Sequence, residues 1–185
     1  MKIKIIKILK YDLKTTSRGK IYDYLCSITS QEINPTTLEK NAMKLKEPVI
    51  LSSSLNRAVD CIQRKDTLIL NLLNEIPFEL SQLCTQEEWF NQGSLIVRKR
   101  FKEAFINDTL LIKRHLIFEQ IEDLINICKK LDSEIAVVSH SFRIKLIEAY
   151  IKTKGKIKDE PDLIEGFIFD NQKTLDFGCS IILEL

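Results

Sequence analysis

Three polar junctions in the sequence hold residue types that bind phosphorylated compounds. They fall at residues 10–12, at residues 52–58, which include Arg57, and at residues 137–141, which include His140. Each junction follows an apolar run, and the carboxyl ends of parallel strands open on one edge of a sheet, where ligands bind. A helix that begins after such a junction also offers backbone N–H groups and a favourable dipole to an anion. The sequence therefore predicts that Arg57 and His140 converge on one phosphate-sized anion.

The elements that must position these junctions alternate between strand and helix patterns. Short apolar runs predict strands at residues 1–8, 49–51, 67–70 and 134–138. Helical spacing and capping residues predict helices at residues 36–46, 55–64, 86–105, 117–131 and 139–152. The polar residues 10–35 are interpreted as a long functional loop, and the tail from residue 163 holds two strand-like runs around residues 170–173. This alternation predicts one domain with a mainly parallel sheet that helices cover on both faces.

The bulk composition narrows the classes of partner and cofactor. The chain has 185 residues, 44% of them hydrophobic and 29% charged, with a formal net charge of +2. Its lysines are spread along the chain, so neither nucleic acid nor a membrane is predicted as a partner. The five cysteines are scattered, which argues against a disulfide framework and a zinc site. With no apolar run of about 18 residues and no nucleotide-binding loop, we predict a cytoplasmic protein without a metal or cofactor.

Several motifs, taken in order, resemble one known family. Residues 53–58 read Ser-Ser-Leu-Asn-Arg-Ala, and residues 135–140 form an apolar run that ends in Ser-His. They resemble two motifs of the histidine phosphatase superfamily, the phosphoglycerate-mutase-like proteins. Residues 28–29, 73–78 and 179–185 are similar to that family's Leu-Thr, acid-bearing and closing-strand segments, so the resemblance spans nearly the whole chain. It implies a three-layer α/β/α sandwich, with a small helical cap at about residues 82–113.

The resemblance also assigns roles to individual residues. In that family a histidine directly after the first strand, within an Arg-His-Gly triplet, attacks phosphorus. Two arginines and a second histidine hold the phosphoryl oxygens, and a carboxylic acid protonates the leaving group. This chemistry depends on positioning and on neutralising spread charge. The resemblance implies phosphate binding by Lys10, Arg57 and His140, a catalytic part for His140, the acid at Glu75 and the nucleophile position at Tyr11.

The chain departs from the family at the nucleophile position. Tyr11 is a phenol with an ordinary pKa near 10, so it is mostly protonated at neutral pH, and its phosphate would be a poor intermediate. Lys10 offers a point charge without the arginine fork, and Asp12 brings negative charge towards an anion site. We therefore expect the usual phosphohistidine catalysis to be weak or lost. Two displaced candidates are His115, as a nucleophile, and Glu79, as the acid.

Three functions follow from these features. The leading hypothesis is a divergent protein of this family that binds a phosphate-containing ligand, which is a phosphorylated small molecule, a phosphoprotein or inorganic phosphate. The first alternative is an active phosphomonoesterase with an altered nucleophile. The second is a pseudoenzyme that acts as a protein-interaction module, with residues 89–105 as the docking surface for a protein partner.

Overall fold

The computed structural model describes residues 1–8, 11–12, 18–33, 37–38, 43–62, 64–166, 175–176 and 178–185, with backbone alone at residues 11–12, 18–20, 37–38 and 161–162. The strands are β1 (Lys2–Lys7), β2 (Tyr11–Asp12), β3 (Thr37–Leu38), β4 (Val49–Ser52), β5 (Leu68–Ile69), β6 (Ile135–Ser139) and β7 (Ser180–Glu184). The helices are α1 (Arg18–Cys26), α2 (Asn56–Val59), α3 (Leu80–Leu83), α4 (Gln86–Gln92), α5 (Ser94–Ile106), α6 (Arg114–Leu131), α7 (Ser141–Lys152) and α8 (Pro161–Ile164). Short 3-10 helices occupy Asn71–Leu73 and Lys156–Lys158.

Five of the strands form one mixed sheet in the order β5-β4-β6-β1-β7. Strand β6 runs parallel to both β1 and β4, and β4 runs parallel to β5. Strand β7 closes one edge by pairing antiparallel with β1. All five residues of β6 are buried, as expected for a central parallel strand covered on both faces. The prediction of a mainly parallel sheet is therefore confirmed.

Two apolar clusters cover the two faces of this sheet. Successive side chains of a strand point to opposite faces, so Ile3 and Ile5 of β1 belong to the larger cluster and Ile6 to the smaller. Helices α6 and α7 pack into the larger cluster, and Ala58 of α2 packs into the smaller. The predicted α/β/α sandwich is confirmed.

The long amphipathic helix predicted at residues 117–131 is confirmed as α6. Its apolar residues recur every three or four positions, so they form one buried stripe: Ile117, Ile121, Leu124, Ile125 and Cys128. The helix ends at Asp132, which adopts the left-handed conformation with φ 41°. It packs against α7 and against the 3-10 helix at Asn71–Leu73.

The structure differs from the prediction at four segments. Residues 37–38 form β3, paired with β2, instead of starting a helix at residue 36. Helix α1 lies within the segment interpreted as a loop. Its sequence gives no local signal for a helix, because it is held by contacts with residues far along the chain, Cys84 and Trp89. Helix α2 ends after one turn. The helix predicted at residues 86–105 is two helices, because Gly93 turns the chain at φ +58°.

The helices α3, α4 and α5 fall largely within the predicted cap, residues 82–113; α5 packs on α3 and α4, and α1 packs on the same two helices. Of the two strand-like runs predicted in the tail, β7 is present, and residues 167–174 lie outside the described residues. Across the described parts of the chain, every helix is too short or too polar to cross a bilayer.

Candidate functional site

The carboxyl ends of three strands meet at one edge of the sheet. Lys7, the last residue of β1, is in register with Ser139 of β6. The chain leaving β1 and the chain leaving β4 both bond back to β6, through Ile8 N–H to the Ser139 carbonyl (3.1 Å) and Ser53 N–H to the Val138 carbonyl (3.1 Å). The second and third junctions of the sequence are therefore brought together by strand pairing.

His140 is buried at this edge, with 2% of its surface exposed. It follows β6 directly and caps α7, and its Nε2 lies 2.9 Å from Ser53 Oγ. Burial lowers its pKa from the ordinary 6.5 to about 3, and the nearby positive charges of Arg57 and Arg143 contribute to that shift. At neutral pH His140 is therefore an uncharged imidazole.

A small polar network decides which ring nitrogen of His140 holds the proton. Ser53 Oγ donates to Asn74 Oδ1 at 2.7 Å, which is the shorter of its two side-chain contacts. Asn74 Oδ1 also accepts the Ser54 N–H at 2.9 Å. Since the single hydroxyl proton of Ser53 goes to Asn74, His140 Nε2 carries its own proton and donates it to Ser53.

Arg57 is buried in α2 and holds a neighbouring segment of backbone. Its Nη1 donates to the carbonyls of Gln31 (3.0 Å) and Ile33 (3.3 Å), and its Nη2 donates to the carbonyl of Ser30 (3.1 Å). Only 3% of its surface is exposed. Here the guanidinium donates to protein carbonyls, and its positive charge contributes to lowering the pKa of His140 and opposes the rise in the pKa of Glu75. Phosphate binding by Arg57 stays a prediction.

Glu75 follows the 3-10 helix at Asn71–Leu73 and points into the same region. Its Oε1 accepts the N–H of Ile76 at 3.2 Å and the N–H of Arg143 at 3.4 Å. Desolvation raises its pKa, and the positive charges of Arg57 and Arg143 offset part of that rise. A carboxyl that keeps its proton to higher pH suits proton donation, so the acid role predicted for Glu75 is chemically consistent with its surroundings.

Arg143 is a residue of this region that the sequence analysis missed. It is 2% exposed, its Nε donates to the Asn74 carbonyl at 2.9 Å, and its Nη2 donates to Gln120 Oε1 at 2.9 Å. Its Nη1 has no hydrogen-bond partner in the parts of the chain that the structure describes. Burial lowers its pKa to about 10. By its backbone and side chain together, Arg143 fixes residues 74 and 75 against α7.

The predicted nucleophile triplet is only partly described. Lys10 lies outside the described residues, and Tyr11 and Asp12 form β2, their side chains also outside them. The residue directly after β1 is Ile8, which is 3% exposed and belongs to the same apolar cluster as Ala58. Ile8 is therefore the residue after β1 whose backbone is bonded to Ser139, the neighbour of His140. Tyr11 follows three residues later in the sequence.

The alternative candidates lie elsewhere. His115 is exposed in the first turn of α6, and Glu79 forms the N-cap of α3. Among the described residues, no cluster of three or more histidine, cysteine, aspartate and glutamate side chains is arranged to hold a metal ion.

A cavity of about 260 Å³ opens beside this network, on the side of the larger core. Its lining comes from β1, the segment after the 3-10 helix, α5 and α7: Lys7, Glu75, Phe78, Val97, Arg98, Phe101, Lys102, Ser141, Phe142 and Lys145. Of the predicted site residues whose side chains the structure describes, Glu75 alone reaches it. Arg98 and Lys102 are four residues apart in α5, and Ser141 and Lys145 are four residues apart in α7. This spacing puts each pair on one face of its helix, and it is the sequence signal by which these lining residues could have been identified.

The charges that line this cavity repel one another. The pKa of Lys145 is lowered by burial first and then by Lys102, Arg98 and Lys7, and Glu148 raises it. The pKa of Lys7 is likewise lowered by burial first and then by Arg98, and Asp176 and Glu75 raise it. Lys7 Nζ donates to the carbonyl of Leu175 at 2.9 Å, which holds its ammonium at the end of β1. The cavity therefore concentrates positive charge in a partly desolvated space.

Three solved phosphatases share this architecture over almost their whole length. α-Ribazole phosphatase from Shigella flexneri has a TM-score of 0.54 at 16% identity, over 100% of this chain and 91% of that one. A mutant phosphoserine phosphatase from Entamoeba histolytica, in complex with phosphoserine, has a TM-score of 0.51 at 13% identity, over 98% and 89%. Mycobacterial glucosyl-3-phosphoglycerate phosphatase has a TM-score of 0.52 at 11% identity, over 99% and 92%.

No family model and no curated protein sequence matches the chain, so the likeness lies in its three-dimensional arrangement. At identities of 11–16% this likeness shows the fold alone. The chain therefore has the phosphoglycerate-mutase-like α/β/α fold that these three phosphatases share.

Proposed function

We propose that the protein binds a phosphate-containing ligand in the cavity beside Glu75, and that the usual phosphohistidine catalysis is lost. The observation that carries this proposal is the convergence of four cations, Lys7, Arg98, Lys102 and Lys145, on one small cavity. Among the described residues that line it, Glu75 is the only carboxylate. A phosphate group neutralises several nearby cations at once, so its oxygens suit this arrangement.

The electrostatics of the cavity support an anion. Neither Arg98 nor Lys145 has a carboxylate within 4.0 Å in the parts of the chain that the structure describes. After burial, neighbouring cations are the next cause that lowers the pKa of Lys7 and of Lys145, and a bound anion offsets that repulsion. Helix α7 begins at Ser141 on the cavity wall, where its dipole favours negative charge.

The nature of the structural neighbours points to the same ligand class. Their names describe phosphatases that act on phosphorylated small molecules, and one was solved with phosphoserine bound. The position of the cavity, at the carboxyl ends of parallel strands, is where α/β sheets bind ligands. We therefore favour a phosphorylated small molecule over a phosphoprotein.

We expect inorganic phosphate to bind, and we expect Arg98→Gln and Lys145→Gln each to weaken that binding about tenfold. Each change removes one charge-assisted hydrogen bond, worth roughly 1.5–3 kcal/mol. Isothermal titration calorimetry at low ionic strength measures the effect, and Lys99→Gln serves as the matched control, since Lys99 is exposed on the same helix and does not line the cavity. Binding should also weaken at alkaline pH, as Lys145 loses its charge below the ordinary lysine range.

If phosphate binds equally well to all four proteins, the site lies elsewhere and this proposal fails. If Lys99→Gln weakens binding as much as Arg98→Gln does, the attraction is a general effect of net charge.

The loss of catalysis rests on the residue that follows β1. In histidine phosphatases the nucleophile comes directly after the first strand, and here that position holds Ile8, which has no nucleophilic atom. The motif resemblance instead puts Tyr11 at the nucleophile position, where the phenol is an unsuitable nucleophile. Whether the nucleophile position is Ile8 or Tyr11, it does not hold the histidine that phosphohistidine catalysis requires.

We expect the natural protein to hydrolyse a generic aryl phosphate at the rate of a protein-free control. Ile8→His should stay inactive as well, because Ile8 packs into the smaller apolar cluster, whereas the cavity lies on the side of the larger one. Tyr11→His restores an imidazole at the position that the motif resemblance assigns, and activity in that variant alone would mean that the tyrosine switched off an intact site. Release of the phenol, followed by absorbance from mildly acidic to neutral pH, measures this, and circular dichroism checks that both variants fold. Activity in the natural protein would instead support the phosphomonoesterase, with Glu75 as its acid.

An interaction module is the second candidate function. It is favoured by exposed apolar side chains on α4 and α5, where Phe90 is 44% exposed and Leu95 is 68% exposed. Both lie within residues 89–105, the predicted docking surface.

A further inference from the structure

Two chemically different groups of residues line the cavity beside Glu75. Its lining combines four cations, Lys7, Arg98, Lys102 and Lys145, with four apolar residues, Phe78, Val97, Phe101 and Phe142. A site for inorganic phosphate alone has no use for an apolar wall, because every face of that ion needs polar partners. The apolar residues of the lining therefore indicate that the ligand has an apolar part in addition to its phosphate group.

The apolar wall is formed by aromatic rings that hold one another in place. The ring centroids of Phe78 and Phe101 are 5.3 Å apart at an interplanar angle of 65°, and those of Phe101 and Phe142 are 4.7 Å apart at 89°. The contacts continue inward, from Phe142 to Phe105 at 5.3 Å, and then to Phe118 and Tyr150. Such edge-to-face geometry is favourable, so the wall is a preformed surface.

The wall offers almost nothing to a hydroxylated ligand body. Phe78, Val97, Phe101 and Phe142 have no hydrogen-bonding atom in their side chains. A sugar or glycerol body would leave several hydroxyl groups without partners against the phenylalanine rings, at a cost for each group that loses water. A flat apolar body loses no hydrogen bonds there and gains burial.

The size of the cavity limits the ligand further. Its volume of about 260 Å³ is just below the range of about 300–1,000 Å³ that is usual for small-molecule sites. It is still several times the roughly 30 Å³ that one water molecule takes up in the liquid. The space therefore suits one anionic group joined to a body of about one ring.

We propose that the ligand is a phosphate monoester of a small flat apolar group, such as an aryl phosphate, with its phosphate among the cations and its body against Phe78, Phe101 and Phe142. This inference rests on the proposed function, because it requires that the same cavity binds phosphate. It adds that the body of the ligand, and not only its charge, decides which phosphate ester is bound.

The test compares three ligands that share the phosphate group: inorganic phosphate, glycerol phosphate and phenyl phosphate. Titration of the natural protein should give phenyl phosphate an affinity at least about tenfold higher than that of glycerol phosphate, since even one methylene in an apolar pocket is worth about 10–200-fold. The ligand comparison needs no variant, so it stands even where a substitution in the wall impairs folding.

A wall variant and its control locate the effect. Phe78→Leu should reduce the preference for phenyl phosphate several-fold and leave inorganic phosphate unchanged. Phe90→Leu, which changes an exposed ring outside the lining, should leave both affinities unchanged. Equal affinities for glycerol and phenyl phosphate would overturn the inference and leave phosphate binding intact. If none of the three ligands binds, both the inference and the proposed function fail.

Discussion

Acidification from pH 6.5 towards about pH 4 should lower the free energy of unfolding by up to about 1.4 kcal/mol per pH unit through His140. In the unfolded chain this imidazole gains a proton at the ordinary pKa of 6.5, whereas in the folded protein its pKa is about 3. Between these values the unfolded chain binds more protons, so stability falls as the pH falls. The contribution is complete above pH 6.5 and decreases steadily below it.

The measurement is urea unfolding of the natural protein and of His140→Gln at several pH values from neutral to mildly acidic. The amide introduced by this substitution retains a donor for Ser53 and does not titrate, so the variant should lose the steep part of the pH dependence. The chain's only other histidine, His115, is exposed, and His115→Gln is the matched control, with the slope of the natural protein. Identical slopes in all three proteins would show that His140 is solvated and free to protonate.

Arg57→Met should destabilise the folded protein by about 2–4 kcal/mol. The guanidinium donates to the carbonyls of residues 30, 31 and 33, and methionine fills much of the same volume without any donor. Removing the charge also removes one of the causes that lower the pKa of His140. The variant should therefore be less stable at neutral pH and show a smaller acid-dependent loss.

The control for Arg57 is Arg100→Met, on the solvent-exposed side of α5. Arg100 pairs with Glu88 and Glu103 at the surface, and such pairs contribute about 0–1 kcal/mol. Arg57→Lys should lie between the natural protein and Arg57→Met, because one ammonium cannot reach three carbonyls in the geometry of the fork. If Arg57→Met keeps its stability and loses phosphate binding, Arg57 binds the ligand, as the motif predicts.

Much of the fold could be predicted from the sequence because its signals are local. The apolar stripe of α6 and the uninterrupted apolar run of β6 each lie within one element, so periodicity alone identifies them. Helix α1 and strand β3 could not be predicted in this way. Helix α1 depends on partners distant in sequence, such as Cys84, whose carbonyl accepts from the hydroxyl of Tyr22, and β3 is held by its pairing with β2.

The candidate site likewise contains some residues that local patterns identify and others that only the three-dimensional packing brings together. Its motif residues Arg57, Glu75 and His140 could be named from short patterns, and the structure brings His140 beside Ser53 as strand pairing requires. The four cations of the cavity could not, because they come from β1, α5 and α7, and no pattern within one segment connects Lys7 with Lys145. Only the packing of α5 and α7 over the end of β1 reveals the cluster.

The ring series from Phe78 to Tyr150 makes the cavity wall part of the folding core. Phe142 joins the wall to Phe105, and Phe105 contacts Phe118, and both of these core rings are 1% exposed. Arg98, Lys102 and Lys145 are under no such constraint, since they reach the cavity from surfaces that solvent still touches. A change in the charge of this site should therefore alter ligand binding at little cost in the free energy of unfolding, whereas a change in the shape of its apolar side should affect binding and stability together.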